Sequence, residues 1–159
     1  MSLSIRHLLL ATVTMLAPLA VGCGPTVRAE VPSGFAIIDG GDEFAFRAAN
    51  ADGVVVAVRS EDNSPHGDLG FWSQALAKRL EKRGYAAVGS ARAVESKEGT
   101  KGLLRTFTTS SGGRDHVYWL GVYVRGDDVF VVEATGDAES VDAAMRARIE
   151  SSIASVELG

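Results

Sequence analysis

Residues 61–68, Glu-Asp-Asn-Ser-Pro-His-Gly-Asp, form the densest group of polar side chains in the chain. Carboxylates, an amide and an imidazole in one segment could bind a cation or the basic side chain of a partner protein. The segment lacks the regular oxygen-ligand spacing of a calcium loop, and Pro65 with Gly67 is typical of the approach to a helix. We therefore predict a connecting and helix-capping role, and no metal site. The candidate partner-binding residues are Glu61, Asp62, His66 and Asp68.

Nucleophilic catalysis finds little support in the sequence after position 23. A serine or cysteine nucleophile needs an adjacent base and a third group that orients the base. The imidazole bases there are His66 and His116, and Gly89-Ser90 lacks the glycine spacing of a nucleophile elbow. We predict that the protein is not an enzyme and uses no cofactor. A hydrolase would require a cleft that brings one of the two histidines beside a serine and an acid.

Arg105 and Glu133 form the most specific predicted juxtaposition of charged residues. The turns between three successive strands predict that Leu120 lies opposite Glu133 on one side and opposite Arg105 on the other. Arg105 and Glu133 would then share one face of the sheet, about 10 Å apart. A partly buried ion pair is one interpretation, and a polar spot in a ligand cavity is the other.

Four basic residues lie close together near the end of the first predicted helix. A solvent-exposed helix face accounts for such a run, and contact with anionic lipid headgroups is the alternative. The four are Lys78, Arg79, Lys82 and Arg83.

The cysteine Cys23 ends an apolar segment at the start of the chain. Residues 8–21 carry no ionised side chain, and this run is too short to span a bilayer comfortably but suits the core of a signal peptide. The sequence Leu19-Ala20-Val21-Gly22-Cys23 resembles the lipobox of bacterial lipoproteins, with Ala20 in place of the commoner leucine. The resemblance implies cleavage before Cys23 and attachment of acyl chains to it, which would anchor the protein in a membrane.

Two other interpretations of the leader stay open: cleavage further along, for instance after Ala29, and an uncleaved anchor. Gly24 follows the acceptor cysteine where an inner-membrane retention signal would have aspartate, so the resemblance favours the outer membrane in a cell with two membranes. We predict a signal peptide over residues 1–22, a lipidated cysteine and tether over 23–32, and one globular domain over 33–159.

Composition excludes several classes of protein. The 159 residues carry a net charge of −4, which argues against nucleic acid as a partner. A hydrophobic fraction of 46% is ordinary for a folded domain and argues against wholesale disorder. One cysteine can form neither an internal disulfide nor a four-cysteine zinc site.

Hydrophobic periodicity predicts two helices. Leu69, Trp72, Leu76 and Leu80 recur at helical spacing, between a capping Asp68 and the helix-ending Gly84. A final helix is predicted to start near Asp137. Its apolar positions are Val141, Met145, Ile149 and Ile153.

The remaining apolar segments predict strands, of which the last three should form an antiparallel meander because their links are short. Both faces of the strand at 116–124 are apolar, so we expect helices on both sides of the sheet. The predicted fold is α+β, an α/β/α sandwich around a mainly antiparallel sheet. The predicted strands are residues 35–38, 44–48, 54–60, 85–94, 102–109, 116–124 and 129–135.

Most of residues 33–158 resembles the PsbP-like superfamily, which includes photosystem extrinsic proteins, a nuclear-import factor that binds the GTPase Ran, and small bacterial lipoproteins. The resemblance rests on element order and on four loose motifs: Asp68-Leu69-Gly70-Phe71-Trp72, Arg83-Gly84-Tyr85, Tyr118-Trp119 and Glu133-Ala134-Thr135-Gly136. It implies a non-enzymatic accessory domain that binds proteins or lipids.

Together these observations predict a lipid-anchored protein of the bacterial cell envelope, facing outside the cytoplasm and attached to the membrane through Cys23. We expect it to bind another envelope protein. The alternative is a carrier that holds a lipid or small apolar ligand between sheet and helix.

Overall fold

The computed structural model describes residues 26–159, so the predictions for the signal peptide and for Cys23 lie outside the described residues. The helices are α1 (Leu69–Glu81) and α2 (Ala143–Ala154), and short 3-10 turns cover Gly41–Glu43 and Ala138–Ser140. The strands are β1 (Val27–Arg28), β2 (Phe35–Ile37), β3 (Phe46–Asn50), β4 (Val55–Asp62), β5 (Ala86–Glu95), β6 (Lys101–Ser111), β7 (Arg114–Arg125), β8 (Asp128–Asp137) and β9 (Glu157–Leu158).

Seven strands form one sheet in the order β2-β3-β4-β8-β7-β6-β5, and every neighbouring pair is antiparallel. The meander β6-β7-β8 lies in the middle of this order, which confirms the prediction for the last three strands. The strand predicted at residues 85–94 is present as β5 and has an irregular centre. The pairing of β5 with β6 shifts register between Val88 and Arg92, and Gly89 between them has a φ of 69°.

The two helices pack on opposite faces of the sheet, because alternate residues of a strand point to opposite sides. On one face, α2 covers a core that includes Trp119, Tyr123 and Val132. On the other face, α1 packs on a second core that includes Leu120 and Val131. The predicted α+β sandwich is therefore confirmed. Across residues 26–159, neither helix has the length and apolar character required to cross a membrane.

The tether predicted over residues 23–32 is shorter in the structure. Val27 and Arg28 form strand β1, which pairs with the C-terminal strand β9, and Val27 is buried in the α2-side core. A two-residue strand is too short for its alternation to be recognised in the sequence, which explains the error.

The last helix begins later than predicted. α2 starts at Ala143, because the Asp142 carboxylate accepts a hydrogen bond from the backbone N–H of Met145 at 2.7 Å and caps the helix there. Residues Ala138–Ser140 form a separate 3-10 turn, and Val141 is not helical.

Candidate functional site

A cleft of about 440 Å³ opens between the second half of α1 and the sheet. It forms because α1 lies mainly over β5, β6 and β7 and does not cover the neighbouring part of the same sheet face. Strand alternation and the helical repeat turn two sets of side chains toward this space. The floor consists of Arg59, Glu61, Tyr118, Leu120 and Glu133 of the sheet. The wall consists of Leu76, Arg79 and Leu80 of α1 with Arg83 and Tyr85 after its end, and the exposed Glu43 lies at the rim.

Glu133 is the centre of a hydrogen-bonded network in the floor. Its carboxylate accepts a 2.5 Å hydrogen bond from the hydroxyl of Tyr118, and Arg59 Nε lies 3.4 Å from its second oxygen. Arg59 also forms an ion pair with Glu61. The Arg59 and Glu133 side chains are 17% and 23% exposed, so this network is largely withdrawn from water. Both charges are compensated, as partly buried ions require.

Tyr118 stays a hydrogen-bond donor in this network. Burial raises the pKa of its hydroxyl, and the negative charge of Glu133 raises that pKa further. Its ring also contacts the ring of Tyr85 edge to face, with centroids 5.3 Å apart. Tyr118 therefore belongs both to the polar network of the floor and to an aromatic pair with Tyr85 of the wall.

The predicted strand register is confirmed: Leu120 pairs with Arg105 on β6 and with Glu133 on β8. The two charged residues nevertheless have different partners. Arg105 Nε donates a 3.0 Å hydrogen bond to the hydroxyl of Ser73, which is buried on α1. Glu133 instead binds Arg59, because β4 is the strand next to β8 whereas β6 is two strands away. The predicted ion pair between Arg105 and Glu133 is therefore replaced by one between Arg59 and Glu133.

The wall carries positive charge that no protein carboxylate compensates. Within residues 26–159, neither Arg79 nor Arg83 takes part in an ion pair. Both are exposed and line the cleft, whereas Lys78 and Lys82 of the same basic run do not line it. The run is thus divided between the cleft and the solvent side of the helix.

The segment 61–68 is held in place by Asn63, which is 6% exposed. Its side-chain oxygen accepts from Gly67 N at 2.9 Å and from Trp72 Nε1 at 2.6 Å, and its amide donates to the carbonyl oxygen of Gly126. Asn63 thereby ties the segment both to α1 and to the turn between β7 and β8. The sequence analysis missed this role, although a single amide before a helix start is a signal of local backbone bonding.

The four candidate partner-binding residues occupy three settings. Glu61 faces the cleft with Arg59, and Asp68 caps α1 by accepting from Phe71 N at 2.7 Å. Asp62 and His66 are exposed at the end of the sheet. His66 Nδ1 lies 4.0 Å from a carboxylate oxygen of Asp127, which is 91% exposed.

His116 belongs to a small charged group at the opposite end of the sheet. The two carboxylate oxygens of Asp137 lie 2.9 Å from His116 Nδ1 and 2.8 Å from Arg114 Nη1. The nearby hydroxyl of Ser110 donates to Asp115. Among the described residues, no serine or threonine hydroxyl is bonded to either histidine, and no group of three potential metal ligands is found.

Several solved structures share this fold. LpqN, a protein involved in cell envelope biogenesis of Mycobacterium tuberculosis, matches with a TM-score of 0.62 and 14% identity over 85% of this chain and 84% of its own. Cyanobacterial PsbP (CyanoP) from Synechocystis sp. PCC 6803 matches with a TM-score of 0.55 and 12% identity over 90% of this chain and all of its own.

A Bacteroides thetaiotaomicron VPI-5482 protein has a TM-score of 0.55 and 16% identity. The match covers 84% of this chain but 45% of the Bacteroides protein. No family model matches the chain, and no curated protein matches its sequence. The likeness to CyanoP supports the PsbP-like fold that the sequence motifs predicted.

Proposed function

We propose that this chain is a lipid-anchored accessory protein of the bacterial cell envelope that acts by binding, with the cleft beside α1 as its binding site. Attachment through an acylated Cys23 rests on the lipobox-like sequence. LpqN, which shares the fold, is involved in cell envelope biogenesis, and this supports an envelope role for the present chain.

The cleft is the observation that carries the proposal. Its volume of about 440 Å³ lies within the range of small-molecule sites, roughly 300–1,000 Å³. Leu76, Leu80 and Leu120 supply apolar surface, and the other residues of floor and wall are charged or aromatic. Such a lining fits a ligand or a partner side chain with a polar group and a small apolar part, and a lipid with a polar headgroup fits it better than a small apolar ligand does.

A second candidate site is an end surface formed by Asp62, His66 and Asp127, where a basic partner protein could bind. The observation in its favour is the bonding of Asn63, which joins segment 61–68 to the turn that carries Asp127 and so fixes the relative positions of the exposed groups. A preformed surface binds at a lower entropic cost than a mobile one.

Site-specific photo-crosslinking in intact cells tests both sites. A photoreactive amino acid would replace Glu43 at the rim of the cleft, or Asp127 on the end surface, or Glu81, which is exposed on α1 but does not line the cleft. The bound species are then identified by mass spectrometry after purification of the full-length chain.

We expect position 43 to capture one defined species and position 81 to capture none. A lipid or other small molecule at position 43 would identify a carrier, and a single protein would identify a partner-binding cleft. Capture at position 127 alone would identify the end surface, and not the cleft, as the binding site. Absence of any specific product at positions 43 and 127 would contradict the proposal.

A further inference from the structure

We propose that the cleft recognises an anionic group, a phosphomonoester or a carboxylate carried on a small apolar moiety, through the guanidinium groups of Arg79 and Arg83. This inference rests on the proposed function, because it names the chemistry of the ligand that the cleft would bind.

Arg79 lies in the last turn of α1 and Arg83 lies two residues beyond its end, and both side chains line the same cleft. Two like charges that line one cleft repel each other. Within the described residues no carboxylate forms an ion pair with either of them. A bound anion between the two guanidinium groups would remove that repulsion.

The third arginine of the cleft differs from these two. Arg59 is already bonded to Glu61 and Glu133, and Glu133 also accepts from Tyr118. Arg59 offsets one of the two floor carboxylate charges, so the floor keeps a net charge of −1, whereas Arg79 and Arg83 give the wall a charge of +2. Glu43 is the remaining carboxylate of the lining, and it lies at the rim. The most positive part of the cleft is accordingly the α1 wall.

Guanidinium groups suit this task because they present planar pairs of N–H donors that match the oxygens of phosphate and carboxylate. The residues that accompany them in the wall are Leu76 and Leu80, with the ring of Tyr85 beyond the helix end. An anion bound at the arginines would thus have apolar and aromatic surface next to it. A small hydrocarbon group attached to the anion would be buried there and add to affinity.

Two double variants separate this site from a general basic surface. R79Q/R83Q removes the cleft arginines. K78Q/K82Q removes the same charge from neighbouring positions of the same helix end that do not line the cleft. Glutamine has nearly the helix propensity of arginine and lysine, so both variants should fold.

The full-length chain and both variants would be placed in phosphatidylcholine nanodiscs and titrated by calorimetry, with empty nanodiscs as the blank. The probes are hexyl phosphate, hexyl glucoside and inorganic phosphate. The glucoside keeps the alkyl chain without the charge, and inorganic phosphate keeps the charge without the chain.

We expect hexyl phosphate to bind the wild type and K78Q/K82Q equally, and to bind R79Q/R83Q about tenfold or more weakly. Hexyl glucoside and inorganic phosphate should each bind the wild type at least about tenfold more weakly than hexyl phosphate. If inorganic phosphate binds as tightly as hexyl phosphate, the apolar moiety does not contribute to affinity. That result would overturn this part of the inference and identify a free anion as the ligand.

Equal binding of hexyl phosphate to R79Q/R83Q and wild type, equal binding of glucoside and phosphate ester, or no binding of either phosphate probe would overturn the inference. These failures leave the proposed function to the crosslinking experiment, because a defined product at position 43 would still identify a binding cleft with a different ligand chemistry.

Discussion

Tyr123 is buried beneath α2, where its hydroxyl donates a 2.9 Å hydrogen bond to the carbonyl oxygen of Ile153 near the end of that helix. Burial raises the pKa of this hydroxyl to about 12. In an unfolded chain a tyrosine has a pKa of about 10. The folded protein therefore keeps the proton at pH values at which the unfolded chain has lost it.

This difference predicts alkaline destabilisation. The contribution is fully present below about pH 10 and is lost as the pH rises toward 12, because only the unfolded chain releases the proton in that interval. Tyr118, whose pKa is also raised, adds to the effect in the same direction. Urea unfolding measured from pH 8 to 11.5 should show a falling free energy of unfolding, with a shallower fall in Tyr123→Phe. Parallel curves for the two proteins would contradict this origin.

At the level of single residues, the sequence predicted positions better than partners. Strand register is set by turns and alternation, so the placement of Arg105 and Glu133 across Leu120 could be derived. The choice of Arg59 as the partner of Glu133 depends on β4 joining the meander beside β8, a long-range contact that local patterns do not encode. The role of Asn63 could not be predicted for the same reason, because one of its hydrogen-bond partners is the carbonyl oxygen of Gly126, which is distant in the sequence.

At the level of elements, α2 approaches the sheet closely at Gly121 in the centre of β7. A Cβ atom at this position would lie 3.1 Å from Cγ2 of Ile153 and 3.3 Å from Cβ of Val132. This contact cannot be derived from the sequence, because the helix position that meets the glycine depends on where α2 begins. The structure places that start at Ala143 rather than near Asp137.

We predict that Gly121→Val lowers the free energy of unfolding by about 1–3 kcal/mol through overpacking against α2. Ile153→Ala alone should lower it by about 2–5 kcal/mol, since it removes buried side-chain atoms that include the contacting Cγ2. If the clash is with Ile153, the double variant should lose less than the sum of the two single losses. Urea denaturation of the four proteins measures this, and strict additivity would exclude the contact as the cause.

At the level of the whole molecule, one end of the sheet lies beside the start of the described chain. Strand β1 pairs with β9, and Leu158 N of β9 donates to Glu98, which also binds Arg125 next to the turn between β7 and β8. Asn63 contacts that same turn. Since residues 24–26 can span at most roughly 15 Å between Cys23 and Val27, anchoring at Cys23 would hold this end, with segment 61–68, near the bilayer.

We predict that Cys23→Ala abolishes incorporation of labelled palmitate into the chain, because the thiol is the acceptor that the lipobox resemblance implies. The full-length variant should then be absent from the acylated proteins of the membrane fraction. Ala20→Leu, which supplies the commoner lipobox residue, serves as the matched control and should keep the label. Cell fractionation with radiolabelled palmitate is the measurement. Equal labelling of Cys23→Ala and wild type would exclude this cysteine as the acceptor.

The backbone N–H of Gly159 donates a 2.8 Å hydrogen bond to the carbonyl oxygen of Thr26, so both ends of the described chain meet at a single pole of the domain. If Cys23 is acylated as proposed, a fluorescent reporter fused after Gly159 would lie at the same pole as the anchor. The hairpin between β6 and β7 lies at the other pole and is exposed at Gly112 and Gly113. A dye or affinity tag inserted there would extend away from the pole that holds the two ends and leave their pairing undisturbed.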